Sequence, residues 1–266
     1  MKKYLYIPML TLAGTAAAFL LWFLFCRTGF EPDTGLPISG NLYGYLFLGL
    51  LAVLAVLFLI ICKQLPDERE FAPSFSTAFS TSSPALLTVP VAGLFLLAAS
   101  GLFDLYSGFL VNASRAEIIA GVLTAISAAA LFPAVTVCRR HSSAEAPHLN
   151  SSNMLLVPVC CLVVRLVLTY RTASINPSLS SYYVEILALV FLTLGFYRLS
   201  SFAFQAGRTR RFALYVMPAV VLCGSALAGG HDISSALLYA GGAVTLLGFL
   251  LLRLDAMSAV WNHNDL

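Results

Sequence analysis

Apolar residues in this chain do not alternate with polar ones. They gather into continuous runs, separated by short segments that hold most of the charges, prolines and serines. A bilayer hydrocarbon core of roughly 30 Å is crossed by about 20 mainly apolar helical residues. Eight runs approach that length: Tyr4 to Cys26, Leu42 to Cys62, Ala85 to Phe103, Ile118 to Cys138, Met154 to Tyr170, Tyr182 to Phe204, Ala213 to Gly229 and Ala236 to Leu252. The pattern predicts an all-α polytopic transmembrane bundle of about eight spans. Seven is the alternative count, because the fifth run is short and Arg165 interrupts it. Lipid offers no hydrogen bonds to free backbone groups, and the two-residue period of a membrane β-barrel strand is missing, so helices are expected throughout.

Composition strengthens this reading. Hydrophobic residues make up 59% of the 266-residue chain and charged residues 10%, with a mean hydropathy of +0.89. An ordinary soluble domain carries about 25% charged residues. The runs extend evenly from end to end, which predicts a single integral membrane domain over residues 1–266. The first run follows Lys2 and Lys3 as in a signal peptide, but Phe19 to Phe25 prolongs it past the small residues Ala16 and Ala18, so an uncleaved first span is expected.

Charge supplies an orientation. Basic residues concentrate on the cytoplasmic side of membrane proteins, and an even span count puts both termini on one side. With the termini inside, Lys2, Lys3, Lys63, Arg69, Arg139, Arg140, Arg198, Arg208, Arg210, Arg211 and Arg253 fall at cytoplasmic ends, and only Arg27, Arg115 and Arg171 fall outside. The expected location is the cell membrane, with both termini cytoplasmic. The net charge of +3 then reflects topology rather than nucleic-acid binding. Tyr43, Tyr45, Tyr106, Tyr170, Tyr182, Tyr183 and Tyr239 read as an outer aromatic belt, and Tyr4, Tyr6, Tyr197 and Tyr215 as an inner one.

Two inner loops are long. The first, Lys63 to Pro84, carries acids at Asp67, Glu68 and Glu70. Phe71, Phe75 and Phe79 follow at helical spacing, a pattern that suits a segment lying on the membrane surface, although Pro73 weakens a continuous helix. The second, Arg139 to Asn153, holds His141 and His148, which read as solvated loop residues because no acid or thiol completes a metal site. The six cysteines form no C-x-x-C pair and read as small packing residues. No cofactor is expected.

Ionisable groups within spans carry the functional expectation, since each costs roughly 2.5–3.5 kcal/mol at the bilayer centre on insertion scales. Arg165 in the fifth span and Glu185 in the sixth reach similar depth if the two helices fold back about Ile175 and Asn176. A salt bridge between them either fixes the helix register or lines an outward-facing cavity that binds a charged solute or relays protons. Asp104 and Glu117, close to apolar runs near the same face, are weaker binding candidates. Pro8, Pro90, Pro133, Pro158 and Pro218 all fall in inner halves of spans, where they bend helices. Gly14 with Ala18, Gly40 with Gly44, Gly121 with Ala125 and Ala129, and Ala236 with Ala240 offer small faces for close helix contact.

The chain lacks H-E-x-x-H, G-x-S-x-G and Walker motifs and paired intramembrane aspartates, and no catalytic residue is singled out. His231 and Asp232 lack a matched nucleophile, and Ser234 and Ser235 read as the cap of the last helix. The expected function is movement of a small solute, in the manner of a permease. The alternative is a membrane sensor or scaffold that docks a cytoplasmic partner or anionic lipid on Arg208, Arg210 and Arg211.

Overall fold

The computed structural model describes residues 4, 6–31, 38, 40–65, 74–81, 83–111, 114–138, 152–173, 182–230 and 232–264. Their order is α1 (Tyr6–Thr28), α2 (Leu42–Gln64), the short α3 (Phe75–Ala78), α4 (Pro84–Tyr106), α5 (Arg115–Val137), α6 (Val157–Ala173), α7 (Tyr183–Ser201), α8 (Thr209–Ala226) and α9 (Ile233–Asn264). A π-helical turn, Ser107–Val111, extends α4, and a 3-10 turn, Ser152–Leu156, leads into α6. With these extensions, eight of the described helices are long and apolar enough to cross a membrane. The fifth run is a full helix despite Arg165. The last helix begins at Ile233, with the Ala236 amide bonding the Asp232 carbonyl at 3.0 Å, so Ser234 and Ser235 lie in its first turn rather than at its cap.

The helices run up and down between two faces. At the terminal face α1 begins and α9 ends: there the Tyr6 hydroxyl meets Gln64 Oε1 at 3.3 Å and the Thr81 hydroxyl bonds Asp255 Oδ2 at 2.8 Å. At the far face Asn41 Nδ2 bonds the Thr28 carbonyl at 2.9 Å, and Trp22 stands edge-on to Tyr183 at 5.9 Å.

The distribution of apolar surface is the reverse of a soluble protein's. The most apolar span, α2, has only 28% of an 18-residue apolar stretch buried, whereas the corresponding stretch of α8, which is less apolar, has 72%. Large side chains such as Phe95, Leu102, Val53 and Leu59 stand at least half exposed on the outer surface. In water such a surface would be strongly destabilising; in hydrocarbon it is solvated, and the bundle interior is selected for fit instead. Helices α8 and α9 form the centre. Around them α4 lies on α9, α7 and α1 lie on α8, α5 and α6 complete the ring between α4 and α7, and α2 leans on α1 and α8.

Glycine sets the closest approaches. A Cβ at Gly93 of α4 would stand 2.3 Å from Thr245 Oγ1 and 2.5 Å from the Thr245 amide nitrogen of α9. One at Gly241 would stand 2.7 Å from the Leu97 amide, and one at Gly101 2.8 Å from the Ala125 amide of α5. Backbones this close leave no room for a side chain, and lipid supplies no hydrophobic force to compensate for a lost contact. Gly121 enters the α4–α5 seam as expected. The α4–α9 seam uses Gly93, Gly241 and Gly248, the last packed on Pro90.

The long segment between α2 and α4 departs from expectation. Phe75 and Phe79 are buried, not spread on a membrane surface. Phe79 packs edge-to-face with three rings of the bundle, Phe202 at 5.1 Å, Phe249 at 5.6 Å and Phe212 at 5.9 Å. The reason is Arg253. Only 5% exposed, it donates from Nη1 to the Ala78 carbonyl at 3.0 Å and from Nε to the Thr209 hydroxyl at 2.7 Å, while its guanidinium lies over Phe202. It thereby satisfies a carbonyl at the end of α3 that would otherwise exclude this turn from an apolar interior. Thus α3 plugs the terminal end of the bundle. Phe71, the acids Asp67, Glu68 and Glu70, and His141, His148 and His231 lie outside the described residues.

Candidate functional site

Three of the ionisable side chains expected near the far face are buried: Asp104 at 5% exposure, Glu185 at 7% and Arg165 at 8%. Asp104 sits in the last turn of α4, on the face where Gly93, Ser100, Gly101 and Gly108 recur at three- and four-residue steps. Such a face turns inward, because small and polar groups gain nothing from lipid. Arg165 lies midway along α6, roughly 12 Å from its Ala173 end. Glu185 is in the first turn of α7.

The pairing differs from the expected one. Arg165 Nη1 forms its ion pair with Asp104 Oδ2, and the same nitrogen donates to Thr124 Oγ1 of α5 at 3.1 Å. Glu185 faces the central helix instead, where its Oε2 accepts from the Tyr239 hydroxyl of α9 at 3.4 Å. Equal depth on neighbouring helices made Arg165 and Glu185 plausible partners. Azimuth decides against it, since α7 turns Glu185 toward α9 while α6 aims Arg165 across α5 toward α4. Tyr239 links the two halves: both Arg165 and Glu185 are within electrostatic reach of its hydroxyl. Read from the sequence as a belt residue, Tyr239 is 2% exposed and belongs to this cluster. Tyr45, Tyr106 and Tyr170 do stand outward near the far face, each more than half exposed.

Asp104, Thr124, Arg165, Glu185 and Tyr239 thus bring five helices together. A buried charge is tolerated only when paired and hydrogen-bonded, and removing one partner of such a pair costs about 3–5 kcal/mol. Glu117 is not drawn into this cluster. It sits half-buried in the first turn of α5, where its Cβ would be 3.3 Å from a Cβ placed at Gly108. Thr124 and Tyr239 were missed in the sequence because a lone threonine in an apolar run usually bonds its own helix backbone and a tyrosine near a span end reads as an interfacial anchor. Thr124 does bond the Ala120 carbonyl at 2.8 Å and still accepts from Arg165.

On the terminal side of the cluster lies a small cavity of about 10 Å³, room for one water, bordered by Arg165, Thr124, Ser127, Pro158, Cys161 and Phe196. Pro158 and Arg165 flank it from the same helix. The other end of the bundle is stopped by the Phe75 and Phe79 plug.

The three-arginine group at the start of α8 is divided. Arg210 Nη2 donates to the Leu65 carbonyl at 2.8 Å and the Lys63 carbonyl at 3.2 Å, closing the C-terminal end of α2. Arg208 and Arg211 are exposed. Comparison of the chain with models of protein families, with curated proteins and with solved structures finds no significant match to any of them.

Proposed function

We propose that this multi-pass membrane protein carries a small polar or charged solute across the cell membrane, and that the Asp104–Arg165 pair, with Glu185 and Tyr239, forms its intramembrane binding element. The observation that carries the reading is the burial of three ionisable side chains from three different spans in one half of the bundle, next to a water-sized cavity. Intramembrane ionisable residues are costly and are typical of substrate paths and proton relays. The small cavity beside this element lies between two closures, the polar cluster toward the far face and the α3 plug toward the terminal face. That arrangement suits an occluded intermediate of alternating access. Pro90, Pro133 and Pro218 interrupt the hydrogen-bond ladders of α4, α5 and α8, which gives these helices places to bend, whereas Pro158 sits in the first turn of α6.

The terminal face is proposed as cytoplasmic. Lys63, Arg198, Arg208, Arg210, Arg211 and Arg253 belong to that end, against Arg27, Arg115 and Arg171 at the other.

The test is flux in proteoliposomes, read by an entrapped pH-sensitive dye and by capacitive currents on a supported membrane with a panel of amino acids, organic acids and inorganic ions. The wild type is expected to give a signal above empty vesicles for at least one member of the panel or for protons. Arg165→Ala and Glu185→Gln are expected to abolish it while the protein still elutes as a folded species. Wild-type vesicles indistinguishable from empty ones, or full flux in both variants, would remove the cluster from any transport role.

A second reading is favoured by the exposure of Arg208 and Arg211: a membrane scaffold or sensor that docks an acidic cytoplasmic partner or anionic lipid there. It predicts a co-purifying partner that is released when both arginines are neutralised, with unchanged flux.

A further inference from the structure

A second cavity lies on the side of the bundle, away from the polar cluster. It measures about 160 Å³ and is formed where α2 stands off from α7 and α8, with Leu54, Ala55 and Phe58 on one wall and Leu187, Phe191 and Pro218 among those opposite. Ala55 is exposed and Leu187 is 39% exposed, so the space opens sideways to the surface that the bundle presents to lipid. An apolar cavity of about this size stays dry and takes an apolar guest.

The two ends of the crevice differ. Toward the far face it is roofed by packed rings: Trp22 meets Phe47 of α2 at 4.9 Å and Tyr183 of α7 at 5.9 Å. Toward the terminal face Phe191 approaches Tyr215 at 6.5 Å, and Arg198 lies over the rings of both Tyr215, at 5.3 Å, and Tyr197, at 5.4 Å. Arg198 is half-buried, and its Nε is buried with no hydrogen-bond partner among the described residues. Leu187, Phe191 and Arg198 share one face of α7. Leu187 and Arg198 are separated by about three turns, roughly 16 Å. Half the hydrocarbon thickness, the depth that the chains of one leaflet span, is roughly 15 Å, so an acyl chain whose phosphate is at the level of Arg198 reaches along α7 to about the level of Leu187.

We propose that this crevice binds one acidic phospholipid from the leaflet at the terminal face, with an acyl chain between α2 and α7 and the headgroup phosphate on Arg198. The phosphate pairs with the outer Nη edge of the guanidinium, Nε being closed off, and the tyrosine rings hold the guanidinium at headgroup depth in the manner of an interfacial anchor. The occupant is a lipid rather than a free anion because the cation lies on the same face of α7 as Leu187 and Phe191, two residues that line an apolar, laterally open space. This site does not depend on the transport reading and shares no residue with the polar cluster.

The experiment is native mass spectrometry of the full chain in detergent, titrated separately with phosphatidylglycerol, with phosphatidylcholine and with inorganic phosphate. One phosphatidylglycerol is expected to bind roughly fivefold more tightly than phosphatidylcholine, as one surface arginine contributes. Arg198→Gln should abolish that preference and Arg198→Lys should keep most of it. Ala55→Phe, which fills the crevice from an exposed position, should weaken both lipids together. Equal binding of the two lipids to the wild type, a preference that survives Arg198→Gln, lipid binding unchanged by Ala55→Phe, or displacement of the lipid by inorganic phosphate would each overturn the proposal.

Discussion

Arg165 on α6 forms its ion pair with Asp104 on α4, a residue 61 positions earlier in the chain, across an intervening helix that adds Thr124 to the same guanidinium nitrogen. One buried pair thereby ties three spans together. Its consequence is asymmetric, because the pair is tolerated whole and penalised when halved.

Asp104→Ala is therefore expected to destabilise the bundle by about 3–5 kcal/mol, and Arg165→Met by a comparable amount. The double variant, which leaves no buried charge, is expected to recover much of the loss. Unfolding in a denaturing-detergent titration reads these differences. The same cycle on Arg165 and Glu185, which share only Tyr239, is expected to show weaker coupling than that on Arg165 and Asp104, and a stronger one would contradict the geometry described above.

Tyr239→Phe removes the hydroxyl that donates to Glu185 while conserving the ring, at a cost of about 1 kcal/mol for the lost hydrogen bond. Glu185→Gln retains an acceptor oxygen and is expected to cost less. Thermal unfolding in detergent should rank the two variants in that order.

Gly93→Val introduces atoms where a Cβ alone would stand 2.3 Å from Thr245 Oγ1 and 2.5 Å from its amide nitrogen. Backbone cannot yield as a flexible side chain does, so α4 and α9 must separate. The expected loss is at least the roughly 1–3 kcal/mol of ordinary overpacking. Gly49→Val, on a helix surface where a Cβ meets nothing within 4 Å, should be near neutral by the same assay.

Arg253→Met removes both donors that hold the α3 plug. Cys138 lies beneath it: the thiol is fully buried, and its carbonyl accepts from the Thr81 amide at 3.1 Å. Peptide mapping after maleimide treatment is expected to show Cys138 labelled at least several-fold faster in the variant, with the rate at Cys223, deep in α8, unchanged. Equal acceleration at both cysteines would indicate general unfolding instead of a released plug.

For sidedness, a membrane-impermeant maleimide is expected to label Arg115→Cys in intact cells and Arg208→Cys only after lysis. The reverse pattern would place the termini outside.

The hydrophobic pattern alone determined that this chain is a membrane-spanning helical bundle of eight long apolar segments, because insertion depends on the length and polarity of each segment by itself. It also singled out Arg165, Glu185 and Asp104, since an ionisable residue in an apolar run is conspicuous in one dimension. What it could not determine was azimuth. Whether Arg165 meets Glu185 or Asp104 depends on how each helix is rotated about its axis, and that rotation is set by packing between helices, as where Gly195 of α7 meets Leu246 of α9. The same holds for Tyr239, which belongs to a belt by depth and to the core by rotation, and for Phe75 and Phe79, whose spacing suits a membrane surface as well as an interior. Only tertiary structure provides Arg253 from the far end of the chain to satisfy the Ala78 carbonyl, and with that bond the interior becomes the better solvent for the two rings.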